Sequence, residues 1–247
     1  MSLNTSFPKF LGKIKFVILF FFLCLISFLI IFFINQFFLV KNIQVISEQK
    51  INLMNKDKLI NKSLLFISQE KVAKQIISEN YLLEKAEVEK VWPNTLKISV
   101  SVYKPCASLT VNNGAFDLSC DGRILQKILA YASKKNNQQY LPIINYYQKL
   151  NFRSFQTGDW IDFKDIKQTL FFVEKLSQLN LIPLTIDIKG QDMLVFNLND
   201  NKTIVFSNSK DKEDQSYQLE LIIRQFKVEG KEYKKIDLRF DKPIIQF

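Results

Sequence analysis

A run of 19 residues from Phe16 to Ile34 contains no charged residue, no proline and no glycine. As a helix rising about 1.5 Å per residue it is roughly 28 Å long, close to the hydrocarbon thickness of a bilayer. A core helix is rarely apolar on every face over about five turns, and a signal peptide has a shorter apolar run with a small-residue cleavage site. The run therefore predicts an uncleaved transmembrane signal anchor, which the following apolar residues extend over 16–40.

The two flanks of this run predict its orientation. Residues 1–15 contain Lys9, Lys13 and Lys15 and no acidic residue, and positively charged flanks stay in the cytoplasm. About 200 residues follow the run, and a domain of that length is translocated largely regardless of its charge. We therefore expect a cytoplasmic tail over 1–15, a single-pass anchor in the cytoplasmic membrane, and residues 41–247 in the periplasm or outside the cell.

The ionisable residues exclude several classes of function. The formal net charge is +10, but only four of the cations are arginines, and base readout favours arginine. Together with the location outside the cytoplasm, this argues against nucleic-acid binding. The chain has no histidine, which removes Ser-His-Asp and Cys-His catalysis and most zinc sites. Six glycines form no phosphate-binding loop. We expect no catalytic residue, no cofactor and no metal site.

One pair of carboxylates has two interpretations. Asp237 and Asp241 lie four residues apart, and two carboxylates on one face of a strand could perform acid–base chemistry. The simpler interpretation is a polar strand face that lies opposite the apolar face of Ile236, Leu238 and Phe240.

Residues 41–105 predict a small module with the order β-α-α-β-β. Ser68 is a suitable N-cap for its longer helix, and Asn80 ends that helix. Trp92 and Pro93 begin the turn between the last two strands, and we expect the large Trp92 side chain in the core. The predicted elements are a strand, a short helix, a longer helix and two strands, over 40–46, 56–61, 69–79, 85–91 and 96–102.

Residues 106–247 predict a second domain that is mostly an antiparallel β-sheet with packed helices. Asn113 and Gly114 are a hairpin signal, Gly230 is a helix stop, and residues 134–139 predict a polar loop. The fold class is therefore α+β. The predicted strands are 107–111, 115–119, 184–188, 193–198, 203–206, 235–241 and 243–247, and the predicted helices are 165–180 and 212–228.

An anchor with its N-terminus inside, followed by this module, resembles the FtsQ/DivIB family of bacterial cell-division proteins, whose members carry a POTRA domain before a C-terminal β domain. The family pattern departs at Ser47, Val102 and Ser119, where members often have Gly, Glu and Asp. The segment from Ile236 to Phe240, before the last strand, is the most specific point of similarity. The other matching residues are Ala86, Val88, Lys90, Trp92, Pro93, Leu96, Ile98, Val100, Pro105 and Ala107.

This resemblance implies a non-enzymatic divisome scaffold at the septum of dividing cells. It implies that the C-terminal β domain binds FtsB/FtsL-like coiled-coil proteins, and that the POTRA domain and membrane segment meet FtsK-like and other divisome proteins. A terminal strand is also an open sheet edge that can accept a partner strand, and Arg239 is expected to pair with an acidic partner residue. The implied partner-binding residues are Arg239, Phe240, Lys242, Ile244, Ile245 and Phe247.

Two other functions compete with this one. The first is an envelope assembly or secretion adaptor that bears a POTRA domain, and the segment from Ile236 to Phe240 argues against it. The second is a wall-modifying enzyme, which the lack of histidine disfavours.

Cys106 and Cys120 are a possible disulfide, because the compartment outside the cytoplasm permits one. A three-residue hairpin loop over 112–114 would pair these two cysteines directly. A two-residue turn of Asn113 and Gly114 would place Cys106 opposite Ser119 instead, since a slip of one residue changes the face of every side chain. The sequence leaves both alternatives open.

Overall fold

The computed structural model describes residues 7–49, 51–129, 141–190 and 192–247. They form two compact units, Met1–Val102 and Tyr103–Phe247. The first contains an N-terminal apolar helix and a small sheet, and the second contains a mixed sheet with helices. The predicted α+β class is confirmed. The polar loop predicted over 134–139 lies outside the described residues.

Helix α1 (Phe7–Phe37) is 31 residues long and contains the uncharged run. Its segment Ile18–Phe37 is long and apolar enough to cross a membrane, and none of it is buried against the rest of the chain. The hydroxyl of Ser27 donates to the carbonyl of Leu23 at 2.9 Å, so its polar group is satisfied within the helix. This helix is compatible with single-pass anchoring.

The sheet of the first unit has three strands, β1 (Asn42–Ser47), β2 (Leu83–Val91) and β3 (Thr95–Val102). Strand β3 lies in the centre, parallel to β1 and antiparallel to β2. A short 3₁₀ helix (Lys56–Leu59) and helix α2 (Gln69–Glu79) precede β2. The predicted order β-α-α-β-β is confirmed.

Local signals fix the ends of α2 and the face that it buries. The hydroxyl of Ser68 accepts a hydrogen bond from the amide of Lys71, and Asn80 ends the helix, as predicted. Val72 and Ile76 of α2 are buried in one cluster with Leu96 and Ile98 of β3. Because Leu96 and Ile98 alternate with half-buried residues, the sheet presents one apolar face to α2.

Nine strands form the sheet of the second unit, in the order β12-β11-β10-β9-β8-β7-β4-β5-β6. Helices α3 (Lys164–Gln178) and α4 (Lys212–Glu229) contribute to its core, and Gly230 ends α4 with φ 64°, as predicted. The strands are β4 (Pro105–Val111), β5 (Gly114–Ser119), β6 (Ile124–Leu129), β7 (Ile143–Tyr146), β8 (Pro183–Lys189), β9 (Met193–Leu198), β10 (Thr203–Phe206), β11 (Lys235–Asp237) and β12 (Ile244–Gln246).

A single row of directly paired apolar residues crosses this sheet. Each belongs to a different strand, and the row runs from β5 to the terminal strand β12. Above the row, Phe172 of α3 stacks on Phe206 with ring centroids 3.8 Å apart. The core therefore extends to the β12 edge. The members of the row are Phe116, Leu109, Ile144, Ile186, Phe196, Ile204, Ile236 and Ile245.

The hairpin of β4 and β5 adopts neither predicted register. Val111 pairs with Gly114, so the turn is formed by residues 112–113 and Gly114 belongs to the strand. A Cβ on Gly114 would lie 2.3 Å from the carbonyl oxygen of Ile128, so glycine is needed for the close approach of a neighbouring strand. Asn113 takes the left-handed conformation instead, with φ 67°.

Cys106 and Cys120 form a disulfide, with Cα atoms 5.1 Å apart. The regular register of the hairpin stops at Ala107 and resumes at Pro105, which pairs with Ser119. Cys106 is therefore the extra residue of an irregularity in β4. This irregularity lets Cys106 reach Cys120 although the turn has two residues, a combination that neither predicted register contains.

Two predicted side-chain positions are wrong. The strand expected over 235–241 ends at Asp237, whose side chain is buried, and Phe240 is 48% exposed. The polar face expected for Asp237 and Asp241 therefore does not form. Trp92, expected in the core, is 53% exposed and contacts Phe38 edge-to-face with centroids 5.2 Å apart.

Candidate partner-binding edge

Strand β12 forms one edge of the nine-stranded sheet. Its inner side pairs antiparallel with β11, and among the described residues no strand pairs with its outer side. Ile245 faces the core as the last member of the apolar row, whereas Ile244 and Gln246 are exposed. An unpaired strand edge offers backbone donors and acceptors to an added strand. The edge is therefore a possible site for strand addition.

Exposed apolar side chains lie on β12, directly after it and in the loop before it. Phe240 is 48% exposed, Ile244 is 49% exposed and Phe247 is 64% exposed. The Phe247 ring still touches the domain, with its centroid 5.9 Å from that of Phe226 in α4. Apolar and aromatic groups beside an open edge are the usual anchors of a protein–protein contact.

Arg239 has a partner within its own chain. Its Nε donates to Oδ1 of Asp237 at 2.9 Å, and its Nη2 donates to Oδ2 at 2.7 Å. Its backbone amide also donates to Oδ1, at 3.2 Å. Burial tends to raise the pKa of Asp237, but the hydrogen bonds and charge of Arg239 outweigh it, so that this pKa lies below its usual value. The hydrogen bonds to Asp237 raise the pKa of Arg239 in return.

This pair explains why β11 stops where it does. The Asp237 side chain is only 6% exposed, and its carboxylate receives three hydrogen bonds from the residue two positions later. Such a local arrangement bends the chain away from the extended strand. The guanidinium of Arg239 also lies 5.4 Å from the centre of the Phe240 ring. Arg239 therefore positions Phe240 as well as neutralising Asp237.

The surroundings of β12 are basic. Lys242 is exposed and forms no ion pair with the described part of the chain. The ammonium group of Lys234 donates to the backbone oxygen of Phe247 at 3.1 Å, and that of Lys235 lies 3.9 Å from Asp237. Lys210 pairs with Asp241 at 2.8 Å. The positive charge that remains, on Lys242 above all, would favour an acidic partner segment.

The structure thus brings the sequence-predicted residues to one edge but gives them different positions. Phe240, Lys242, Ile244 and Phe247 are exposed there. Ile245 faces the core, and the side-chain donors Nε and Nη2 of Arg239 are bound to Asp237. The contribution of Asp237 was missed at the sequence level, since it depends on the end of β11. Cys106 and Cys120 lie on or next to β4 and β5, near the opposite edge of the sheet.

A second polar cluster lies where β10 leads into α4. The carboxylate of Asp192 accepts hydrogen bonds from the hydroxyls of Ser207 and Ser209, both at 2.6 Å. Burial tends to raise the pKa of Asp192, but these bonds outweigh it and the pKa lies below its usual value. The buried amides of Gln168 and Gln215 donate to the carbonyl of Ser207 at 3.0 and 2.9 Å. A carboxylate with a lowered pKa is a poor base, so we assign this cluster to the loop's structure.

The structure gives no support for a metal site at the β12 edge or at the cluster around Asp192. In the described ranges there is no group of three or more His, Cys, Asp or Glu side chains that could hold a metal ion. Near β12, the carboxylates of Asp237 and Asp241 are each bound by a basic side chain, Arg239 and Lys210 respectively.

A comparison with protein families decides the nature of the first unit. Residues 37–101 match the family model for the POTRA domain of the FtsQ type. Residues 37–101 are an FtsQ-type POTRA domain. The three-stranded sheet and α2 are the body of this POTRA domain, and it begins where α1 ends. The match stops before the second unit and does not include the β12 edge. No curated protein matches the chain.

Proposed function

We propose that this chain is a non-enzymatic divisome scaffold of the FtsQ/DivIB type. The observation that supports it most directly is the FtsQ-type POTRA domain that begins at the end of an apolar helix long enough to span a membrane. The helix tethers the chain to the cytoplasmic membrane as a single-pass anchor. Its basic N-terminal flank remains in the cytoplasm, and the POTRA domain and the second unit lie on the opposite side of the membrane.

The second unit binds FtsB/FtsL-like coiled-coil proteins at the β12 edge. A partner segment adds as a strand beside β12, so that backbone hydrogen bonds supply affinity. Phe240, Ile244 and Phe247 supply apolar contacts, and Lys242 favours an acidic partner. Because Ile245 already lies in the core, its role is to hold β12 in place. Arg239 acts through Asp237 and Phe240, and it keeps the loop before β12 in one conformation.

The POTRA domain and the anchor meet FtsK-like and other divisome proteins. This part of the proposal rests on the FtsQ-type match, because POTRA domains of other types serve other assemblies. Sheet edges β1 and β2 are unpaired on their outer sides among the described residues, so the domain also has edges at which a second chain could add.

Titration of the full chain with an FtsB/FtsL-like pair tests the edge. Ile244→Lys places a charge among the proposed apolar contacts, and we expect at least a tenfold loss of affinity, since a buried apolar side chain contributes about 1.5–3 kcal/mol. Ile143→Lys is the matched control, because Ile143 is 45% exposed but lies on an interior strand. Equal affinities for the two variants would contradict the edge. Capture of export or outer-membrane proteins in place of division proteins would favour the adaptor function.

A further inference from the structure

Three exposed apolar side chains on the POTRA domain have no explanation in the proposed scaffold function. Phe66 is 83% exposed, Trp92 is 53% exposed and Leu65 is 40% exposed. They come from two loops, one before α2 and one between β2 and β3. We call them the membrane-side patch. Large apolar groups on a surface usually mark a contact with another surface.

Both loops form hydrogen bonds with the residues that directly follow α1. The amide of Leu64 donates to the carbonyl of Phe38 at 2.8 Å, and the amide of Val40 donates to the carbonyl of Lys62 at 3.0 Å. In the other loop, the carbonyl of Asn94 accepts from the amide of Lys41 at 2.9 Å. The Trp92 ring meets the Phe38 ring at 5.2 Å. Because α1 ends at Phe37, the patch is adjacent to the end of the helix.

One end of the three-stranded sheet also lies beside the end of α1. Strands β1 and β3 begin beside the end of α1, and β2 ends there, with Asn42 and Val91 both paired to Thr95. Strand β2 is nine residues long, so its opposite end lies eight steps along the strand, roughly 27 Å at 3.4 Å per residue. A bilayer surface at the level of Phe37 is therefore nearer to the patch than to the far end of the domain.

The three segments that contribute to the patch and its surroundings are basic in sequence. The segments 38–44, 61–66 and 90–97 contain four lysines and no acidic residue. The ammonium group of Lys90 donates to the carbonyl of Leu65 at 3.3 Å, which holds the two loops together, and Lys97 pairs with Glu89 at 2.9 Å. The side chains of Lys41 and Lys62 are exposed. Aromatic rings with flanking lysines are typical of the membrane–water interface.

We propose that the membrane-side patch lies in the headgroup region of the bilayer that α1 spans, and that its partner is anionic phospholipid. The proposal rests on the anchoring in the proposed function and goes beyond it. Trp92 and Phe66 enter the interface, while Lys41 and Lys62 approach the lipid phosphates. The POTRA domain is thereby held against the membrane by its loops as well as by its covalent link to α1.

Fluorescence of Trp92 in the full chain tests this docking. The Trp160→Phe variant leaves Trp92 as the single tryptophan of the chain. In vesicles of anionic phospholipid brominated near the headgroup, we expect Trp92 emission to be quenched, shifted to the blue and shielded from aqueous acrylamide. Free access of acrylamide with no quenching by bromine would overturn the proposal. Shielding from acrylamide without bromine quenching would indicate a protein contact and would overturn it equally.

Two control positions separate this result from failure of the anchor. In the absence of both native tryptophans, Tyr81→Trp reports on the opposite end of β2, and we expect no bromine quenching there. Phe28→Trp reports on the middle of α1 and must be quenched by lipids brominated deeper in the chain. If Phe28→Trp is quenched and Trp92 is not, the docking is wrong and the anchor stands. If Phe28→Trp is not quenched, the anchor itself fails.

Surface variants measure the contributions to docking. Phe66→Ser should lower the ratio of docked to undocked Trp92 at least about tenfold, since a buried phenylalanine is lost. Met54→Ser is the matched control: Met54 is 63% exposed, and its amide contacts Asn80 near the far end of β2. Lys62→Glu should lower the ratio about fivefold or more, only on anionic vesicles. Equal effects of Phe66→Ser and Met54→Ser would contradict the docking.

Discussion

Replacing Arg239 with glutamine should destabilise the second unit through Asp237. The change removes two charge-assisted hydrogen bonds to a carboxylate whose side chain is 6% exposed. Bonds to charged groups contribute about 1.5–3 kcal/mol each. The arginine side chain is 32% exposed and its backbone amide still donates to Asp237. Allowing for solvent screening, we expect a loss of about 2–3 kcal/mol at neutral pH.

This loss should depend on pH in one direction. The folded-state pKa of Asp237 is lowered, so its pairing stabilises the fold above the unfolded pKa of about 3.9 and ceases to do so as pH falls through the folded value. The difference between the wild type and Arg239→Gln should therefore shrink below about pH 4. Replacing both partners, as in Asp237→Asn with Arg239→Gln, should recover part of the loss because no unpaired charge is then buried.

Denaturant unfolding of the full chain measures the effect, with Trp160 fluorescence in a Trp92→Phe background as the report on the second unit. Arg224→Gln is the matched control. Its arginine is 72% exposed and pairs with Glu220 at 2.5 Å on one face of α4, so we expect a loss of about 0.5 kcal/mol or less. Similar losses for the two arginines, or a loss from Arg239→Gln that is the same at about pH 3 and pH 7, would refute the reasoning.

Three further predictions follow from side-chain positions. Phe240→Ala should cost less than about 1 kcal/mol in stability because the ring is half exposed, yet weaken binding of an FtsB-like partner at least tenfold by titration; Val228→Ala, at an 88% exposed site on α4, should change neither. Alkylation without reductant followed by intact mass should label neither Cys106 nor Cys120, and reduction should lower stability by about 3 kcal/mol at most; two labels would contradict the disulfide. Trp92→Ala in detergent should cost less than about 1.5 kcal/mol by denaturant unfolding, and a loss near 3 kcal/mol, typical of a core aromatic, would place Trp92 in the core.

Periodicity and local signals predicted most of the secondary structure. Alternation located β3, β9 and β10 within one residue, and the N-cap Ser68 and the stop at Gly230 fixed helix ends. These signals depend on residues close in sequence, so they need no knowledge of the tertiary fold. Strand β12 also lies at a sheet edge, as the sequence analysis expected of the last strand.

The misplaced features depend on contacts that the pattern of apolar and polar residues does not encode. Gly114 looked like a turn glycine, but it serves the close approach of Ile128, which only the fold reveals. The alternation through 235–241 continues past the point where Arg239 binds Asp237 and ends the strand. Trp92 is large and apolar and was therefore expected in the core, but it is 53% exposed and its ring packs on Phe38 instead.

Localisation of a fluorescent fusion of the full chain tests the divisome function most directly. The FtsQ-type POTRA domain, the apolar helix and the open β12 edge together predict a band at mid-cell in dividing cells and no band in cells that are not dividing. The Ile143→Lys control should keep that band, because its site lies away from the edge. A uniform signal around the envelope in dividing cells, from a fusion that is intact and membrane-bound, would contradict the account.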